Sequence, residues 1–134
     1  TDPDEAAIFA RETGVDAMAI SVGNVHLQQD KDGGLDEPRI RAIEAVTDVP
    51  LVIHGGSGVP IAQRTALATG SKICKFNIGT ELRMAFGDAL RGAVNADPNR
   101  FDRNAILQET LDPVAAAAAR VLAAFGHPGR GVNR

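Results

Sequence analysis

The 134-residue sequence has no tryptophan, no tyrosine and only one cysteine. It also lacks any apolar run of the roughly 18 residues that a membrane-spanning helix needs. A single cysteine excludes an internal disulfide, and the apolar neighbours of Cys74 predict a buried thiol in a cytoplasmic protein. The formal net charge of −3 comes without a basic stripe, so nothing predicts binding to nucleic acid or to an anionic membrane.

The chain opens on Thr1 rather than on an initiator methionine. Thr1 or Asp2 suits a helix N-cap, and Pro3 suits the first turn of that helix. Gly14 then predicts the end of the helix. We therefore expect the first residues to lie inside a longer chain, with Thr1 at a cut, at a processing point or at the edge of what was recorded.

Short apolar runs alternate with helical patterns along the sequence. Strands are predicted at 15–22, 49–53 and 72–78, and helices at 3–13, 37–46, 61–69, 81–94, 104–111 and 112–125. Asp112, followed by a proline, is the predicted cap of the last helix. Strands that alternate with helices across short loops predict a parallel sheet with right-handed crossovers.

Three strands are too few for a complete classical fold of this class. A (β/α)8 barrel, or TIM barrel, needs about 250 residues, so residues 1–134 are predicted to form part of one such domain. A small open sheet covered by helices is the alternative. In both folds the residues that follow the strands form the functional face.

Two histidines follow two of the predicted strands, His26 after the first and His54 after the second. Each alone is more commonly a hydrogen-bonded loop or core residue. Two at equivalent strand ends, however, can direct their imidazoles to one metal ion, and imidazole suits zinc, cobalt or iron. A catalytic zinc takes three protein ligands, and His127, in a terminal Pro/Gly segment, is a poor third candidate.

The segment 54–58, His-Gly-Gly-Ser-Gly, predicts an anion site. Glycines at Gly55 and Gly56 let backbone N–H groups converge on a phosphate, and Ser57 adds a hydroxyl. The helix that follows presents further N–H donors. A tight strand-to-helix turn is the alternative explanation, but it accounts less well for three glycines.

The loop after the third predicted strand carries Asn77, Gly79 and Thr80. Asn77 can bond a substrate oxygen, while Gly79 and Thr80 can complete a phosphate cradle at a helix N-terminus. Thr80 is equally suited to be the N-cap of that helix. Arg83 can reach an anion or remain solvated. The other polar residues singled out are predicted to be a mobile loop (Asp30, Lys31, Asp32) and surface charges (Arg64, Lys72).

In this order and at these spacings, the segments Gly23-Asn24-Val25-His26, His54–Gly58 and Asn77–Arg83 resemble the class II fructose-bisphosphate and tagatose-bisphosphate aldolases. The likeness extends over essentially the whole chain. It implies the sixth to eighth strands of a (β/α)8 barrel, in a cytoplasmic enzyme that is a homodimer or homotetramer.

The resemblance also implies roles for individual residues. His26 and His54 would be zinc ligands, and Gly55, Gly56 and Ser57 would hold the substrate phosphate with the Asn77–Thr80 loop. A monovalent cation, Na+ or K+, often lies beside that phosphate. The reaction implied is reversible cleavage of a ketose bisphosphate to dihydroxyacetone phosphate and an aldehyde, with zinc as Lewis acid.

The sequence departs from the family at two positions. Leu27 stands where glycine usually follows the first histidine, which crowds the approach of the backbone to phosphate. Gly79 stands where some fructose-bisphosphate members carry aspartate and where tagatose-type members carry a small residue.

The third zinc histidine and the proton-transferring aspartate of the family lie in the first half of the barrel, and no residue here matches them. No catalytic acid or base is therefore assigned, and this segment alone is expected to be inactive. Two alternatives stay open. One is a metal-free phosphate-binding barrel isomerase, and the other is a non-catalytic half-barrel that binds phosphate or assembles with a partner.

Overall fold

The computed structural model describes residues 1–27 and 34–125 of the chain. In chain order its elements are α1 (Pro3–Thr13), β1 (Met18–Ile20), α2 (Glu37–Val46), β2 (Leu51–Ile53), a 3-10 turn (Gly56–Gly58), α3 (Ile61–Gly70), β3 (Ile73–Phe76), α4 (Thr80–Ala96), α5 (Arg103–Gln108) and α6 (Leu111–Ala124). The predicted loop at Asp30, Lys31 and Asp32 and the segment with His127 lie outside the described residues.

The three strands form one parallel sheet in the order β1-β2-β3, which confirms the predicted strand–helix alternation. Each strand is shorter than predicted, since only part of each predicted segment pairs with a neighbour. Met18 aligns with Leu51 and Ile20 with Ile53, while a register shift in β2 pairs Val52 with Lys75. The parallel pairing brings the carboxyl ends of the strands to one edge of the sheet.

Aliphatic side chains from the sheet and from α1, α2 and α3 form the core. β2 is buried along its whole length, and α2 contributes two side chains that are fully buried. The core consists of Ala6, Met18, Ile20, Val22, Leu35, Ile40, Ile43, Leu51, Ile53, Val59, Leu67 and Ile73. Helices α1, α2 and α3 thus cover one face of the sheet, and α4 packs against α5 and α6.

The predicted burial of Cys74 is wrong, because this residue is exposed. Successive residues of a strand point to opposite faces of the sheet. Ile73 faces the helices and is buried, so Cys74 points to the other face, where its thiol lies 3.4 Å from the carbonyl oxygen of Leu51. The apolar neighbours in sequence therefore did not indicate the environment of the thiol.

Helix ends agree with the sequence at α1 and differ at α6. The Asp2 carboxylate accepts hydrogen bonds from the N–H groups of Asp4 and Glu5, and Gly14 ends α1 with φ of 62°. α6 begins at Leu111 with Thr110 before it, so the prediction of Asp112 as the cap is wrong. Asp112 lies instead in the first turn, where the interaction of its carboxylate with the helix dipole is favourable.

Lys72 links β3 to the end of α2, which goes beyond the surface charge that was predicted. Its ammonium donates to the carbonyl oxygens of Glu44 and Thr47 at 2.8 and 2.9 Å, and to the Asp48 carboxylate at 2.8 Å. The hydrogen bond from Lys72, and then its positive charge, lower the pKa of Asp48. In the part of the chain that the structure describes, no helix is long and apolar enough to cross a membrane.

Candidate functional site

The loops that follow β2 and β3 are joined by backbone hydrogen bonds. The N–H of Asn77 donates to the carbonyl of Ile53 at 2.8 Å, and the N–H of Gly56 donates to the carbonyl of Asn77 at 3.1 Å. These bonds extend the pairing of the two strands into their loops. The residues after the strands are therefore held together as one surface.

The loop after β1 packs against the same surface at Gly55. Gly55 has φ of 63°, and a Cβ added there would lie 2.4 Å from the carbonyl oxygen of Val25. Real Cβ contacts do not come this close, so only glycine allows the two loops to approach. This contact places the backbone of His26 beside the end of β2.

The two predicted metal ligands lie side by side. The ring centroids of His26 and His54 are 5.7 Å apart, with an interplanar angle of 62°, and both side chains are exposed. Two imidazoles on one tetrahedral zinc, each with a Zn–N bond of about 2.0–2.1 Å, place their centroids about 5 Å apart. The observed separation is thus close to that of two imidazole ligands of one metal ion.

Two asparagines contact His54, one at its ring and one at its backbone carbonyl. The Asn77 amide nitrogen lies 3.1 Å from Nδ1 and 3.3 Å from Nε2 of the imidazole. Asn24 donates to the carbonyl oxygens of His54 and Ile20 at 3.0 and 3.2 Å, and it accepts the N–H of Val22 at 2.7 Å. Asn24 thus fixes the histidine loops relative to each other. No role was predicted for Asn24 from the sequence, although its position between a strand and a histidine was a signal that it contacts both.

A third metal ligand is not found in residues 1–27 and 34–125. Within these ranges, no group of three His, Cys, Asp or Glu side chains is placed to hold a metal ion. The described residues therefore supply two imidazoles.

His26 and His54 line a cleft of about 420 Å³. Polar and glycine residues from all three loops contribute to its wall, together with a few apolar side chains. The lining residues are His26, Leu27, His54, Gly55, Ser57, Phe76, Asn77, Ile78, Gly79, Thr80 and Arg83. Seven of the eight predicted site residues are among them, and Gly56 is the exception, because it is buried behind the cleft with its N–H bonded to Asn77.

The N-terminus of α4, which carries the kind of backbone N–H groups that suit an anion, borders the cleft. The helix begins at Thr80 with Gly79 as its N-cap residue, and Gly79 has no side chain to satisfy the first N–H groups. Ser57, which is buried, accepts the N–H of Glu81 at 3.3 Å. Its hydroxyl hydrogen is thus still able to donate to an anion in the cleft.

Arg83 brings a positive charge to the same end of the cleft. Its guanidinium folds back over Gly79, and a Cβ added at Gly79 would lie 3.1 Å from one of its nitrogens. A side chain at Gly79 would therefore push the guanidinium away. Because Gly79 has no side chain, the Arg83 guanidinium can lie beside the first turn of α4.

Leu27 adopts a backbone conformation that is unusual for its side chain. It has φ of 61°, and it is the one non-glycine residue with positive φ in the described chain. The left-handed region raises the energy of a non-glycine residue by about 1–2 kcal/mol. Leu27 thus has a backbone conformation that glycine adopts readily, at the position where the resembling family usually carries glycine.

The prediction that Arg64 is a surface charge is wrong. The residue is 1% exposed, and Nη1 lies 2.8 Å from Oε1 of Glu81. Arg64 shares the inner face of α3 with the buried Leu67, three residues later. That spacing from an apolar residue was the available signal, because residues three apart lie on the same face of a helix.

Comparison with known proteins identifies the family and the fold. Residues 1–130 match the family described as fructose-bisphosphate aldolase class II. The chain is similar to the YdjI aldolase from Escherichia coli K12, with 32% sequence identity, a TM-score of 0.74, and coverage of 97% of this chain and 46% of that one. Its fold is similar to that of a fructose-bisphosphate aldolase from Campylobacter jejuni, with 19% identity, a TM-score of 0.72, and coverage of 94% and 45%. The chain spans less than half the length of each relative.

Proposed function

The chain belongs to the class II fructose-bisphosphate aldolase family, and from this premise we propose that it supplies two metal ligands and the phosphate-binding loops of a metal-dependent aldolase. The substrate would be a ketose bisphosphate such as fructose or tagatose 1,6-bisphosphate. The observation that carries the proposal is that His26 and His54 line the same cleft as Ser57, Gly79 and Thr80.

His26 and His54 would hold the metal through one ring nitrogen each. A bound zinc ion would act as a Lewis acid that draws electron density from the ketose carbonyl. Asn77 contacts the His54 ring, and a hydrogen bond to the ring nitrogen that does not bind metal sets the orientation of the imidazole. Asn77 also lines the cleft, so its amide is placed to bond the dihydroxyacetone phosphate portion of the substrate.

The phosphate would bind at the start of α4. The free N–H groups of the first turn and the positive end of the helix dipole favour an anion there. Ser57 would donate its hydroxyl, and Gly55 would contribute backbone from the facing loop. Arg83 would contact a phosphate oxygen from above Gly79, and a sodium or potassium ion beside the phosphate is part of the same proposal.

Several wider properties belong to the proposal too. The strands would be the last three of a (β/α)8 barrel, with the remaining strands, a third histidine and the catalytic aspartate supplied outside this chain. The enzyme would work in the cytoplasm as a homodimer or homotetramer. Light scattering of the full-length gene product tests the assembly state.

An aldol cleavage assay tests the function. The full-length gene product is incubated with fructose or tagatose 1,6-bisphosphate, and the release of dihydroxyacetone phosphate is followed before and after treatment with a chelator. We expect cleavage that the chelator abolishes and added Zn2+ restores. His54→Ala should abolish it, and His127→Ala, which changes the third histidine of the chain, should not.

Two results would contradict this proposal. Turnover of a sugar phosphate at a rate that the chelator does not change would favour a metal-free isomerase. Phosphate binding without any cleavage would favour a non-catalytic half-barrel.

A further inference from the structure

The guanidinium of Arg64 is buried where a helix normally places an apolar side chain. It is 1% exposed, and Nε has no hydrogen-bond partner among the described residues. A buried charge is unfavourable unless it is paired, and an apolar residue of similar size is often as stable or more so. Core packing alone therefore does not account for an arginine at this position.

The partner of Arg64 is at the start of α4. Oε1 of Glu81 lies 2.8 Å from Nη1 as an ion pair, and Glu81 is the second residue of α4. The N–H of the same residue donates to Ser57 Oγ at 3.3 Å. Glu81 is thus joined to α3 by its side chain and to the 3-10 turn by its backbone.

This connection replaces an ordinary helix cap. Gly79, the N-cap residue of α4, has no side chain to bond the first turn. The Arg64–Glu81 pair and the Ser57 hydroxyl hold that turn instead. Gly79, Thr80 and Ser57 all line the cleft, so the pair fixes the groups that face an anion there.

The charge of Glu81 gives Arg64 a second effect. A carboxylate in the first turn of α4 repels a phosphate that binds to the same turn. Arg64 offsets this charge from the buried side, where solvent screens the pair only weakly. The phosphate then meets a helix end that is positive overall.

We propose that Arg64 is a positioning residue for phosphate binding, acting through Glu81 on the first turn of α4 and on Ser57. The inference rests on the proposed function, since it presumes that a sugar phosphate binds in this cleft. Arg64 itself does not touch the substrate.

Isothermal titration of the full-length gene product with inorganic phosphate tests the proposal. Removing one partner of a buried charge pair weakens what the pair supports, and Arg64→Gln should raise the Kd for phosphate about tenfold at low salt. Arg64→Lys, which keeps the charge, should stay within about threefold of wild type. Arg91→Gln is the control, because Arg91 is an exposed arginine of α4 paired with Asp88.

Two further readouts separate positioning from packing. The difference between Arg64→Gln and wild type should shrink as salt is raised, because salt screens the repulsion between the Glu81 carboxylate and a phosphate in the open cleft, whereas a packing defect is insensitive to salt. The double variant R64Q/E81Q removes the carboxylate together with the guanidinium, so neither charge is left without its counter-charge and the affinity should return to within about threefold of wild type. It also keeps the test open if Arg64→Gln alone does not fold.

Each other outcome overturns the inference. If Arg64→Gln binds phosphate as wild type does and only its urea midpoint falls, Arg64 is a packing residue and the proposed function stands. If R64Q/E81Q folds and remains tenfold weaker, Arg64 does not act through Glu81. If the wild-type chain binds no phosphate, the proposed phosphate site fails together with this inference.

Discussion

Replacing Gly55 with alanine tests how the three loops are assembled into one site. The left-handed conformation at φ of 63° raises the energy of a non-glycine residue by about 1–2 kcal/mol. The added Cβ would also lie 2.4 Å from the carbonyl oxygen and 2.8 Å from the carbonyl carbon of Val25, both backbone atoms. Because a backbone contact is relieved only by moving the loop, overpacking adds about 1–3 kcal/mol.

We therefore expect Gly55→Ala to lower the free energy of unfolding by about 1–4.5 kcal/mol, after allowing about 0.4–1 kcal/mol for the stiffer unfolded chain. The same movement displaces His26, so weaker metal binding should accompany the loss of stability. Urea unfolding followed by far-ultraviolet circular dichroism is the assay, since the chain has no tryptophan or tyrosine for fluorescence.

Two other glycines provide matched controls. Gly14 has nearly the same φ, 62°, but nothing lies within 4 Å of an added Cβ, so Gly14→Ala isolates the backbone term of about 1 kcal/mol. Gly92 is inside α4 with open space around it, and Gly92→Ala should raise stability by about 0.8–1 kcal/mol. If Gly55→Ala is no more destabilising than Gly14→Ala, the close packing of the Val25 loop on Gly55 is refuted.

Two further predictions concern the backbone and the pH dependence of stability. Leu27→Gly should raise the free energy of unfolding by up to about 1 kcal/mol, because relief of the left-handed conformation exceeds the entropy that glycine loses on folding; an unchanged urea midpoint would contradict this. Asp48 has a pKa lowered first by the hydrogen bond from Lys72, so its contribution to stability is present above the unfolded pKa and is lost as pH falls through the folded pKa. Asp48→Asn should therefore be less stable than wild type above about pH 5 and equal to it in strong acid, and a difference that grows on acidification would contradict the assignment.

Local patterns were enough to predict the elements and the position of the site. Apolar runs that end in glycine or histidine predicted the three strands, and parallel pairing then brought His26 and His54 to one edge of the sheet. Caps at α1 followed from Asp2 and Pro3 alone, because the interactions of a cap are formed by neighbouring residues.

Features that depend on distant residues were not predicted. The spacing from Leu67 places Arg64 on the inner face of α3, but the pairing with Glu81, seventeen positions later, is not contained in any local pattern. Cys74 is exposed because helices cover only one face of the sheet in the described chain, whereas its apolar neighbours suggested burial. The positive φ of Leu27 is set by the conformation of its loop. Leucine rarely adopts a positive φ, so the residue type gave no indication of it.

Metal titration of the chain tests most directly whether His26 and His54 form one metal site. Binding of Zn2+ or Co2+ is measured by calorimetry for wild type, for each histidine-to-alanine variant and for the double variant. We expect His26→Ala and His54→Ala each to weaken binding at least about tenfold. The double variant should be little worse than either, because two ligands of one ion act as a unit. His127→Ala should bind as wild type does. Losses that simply add, or a loss confined to His127→Ala, would contradict the shared site.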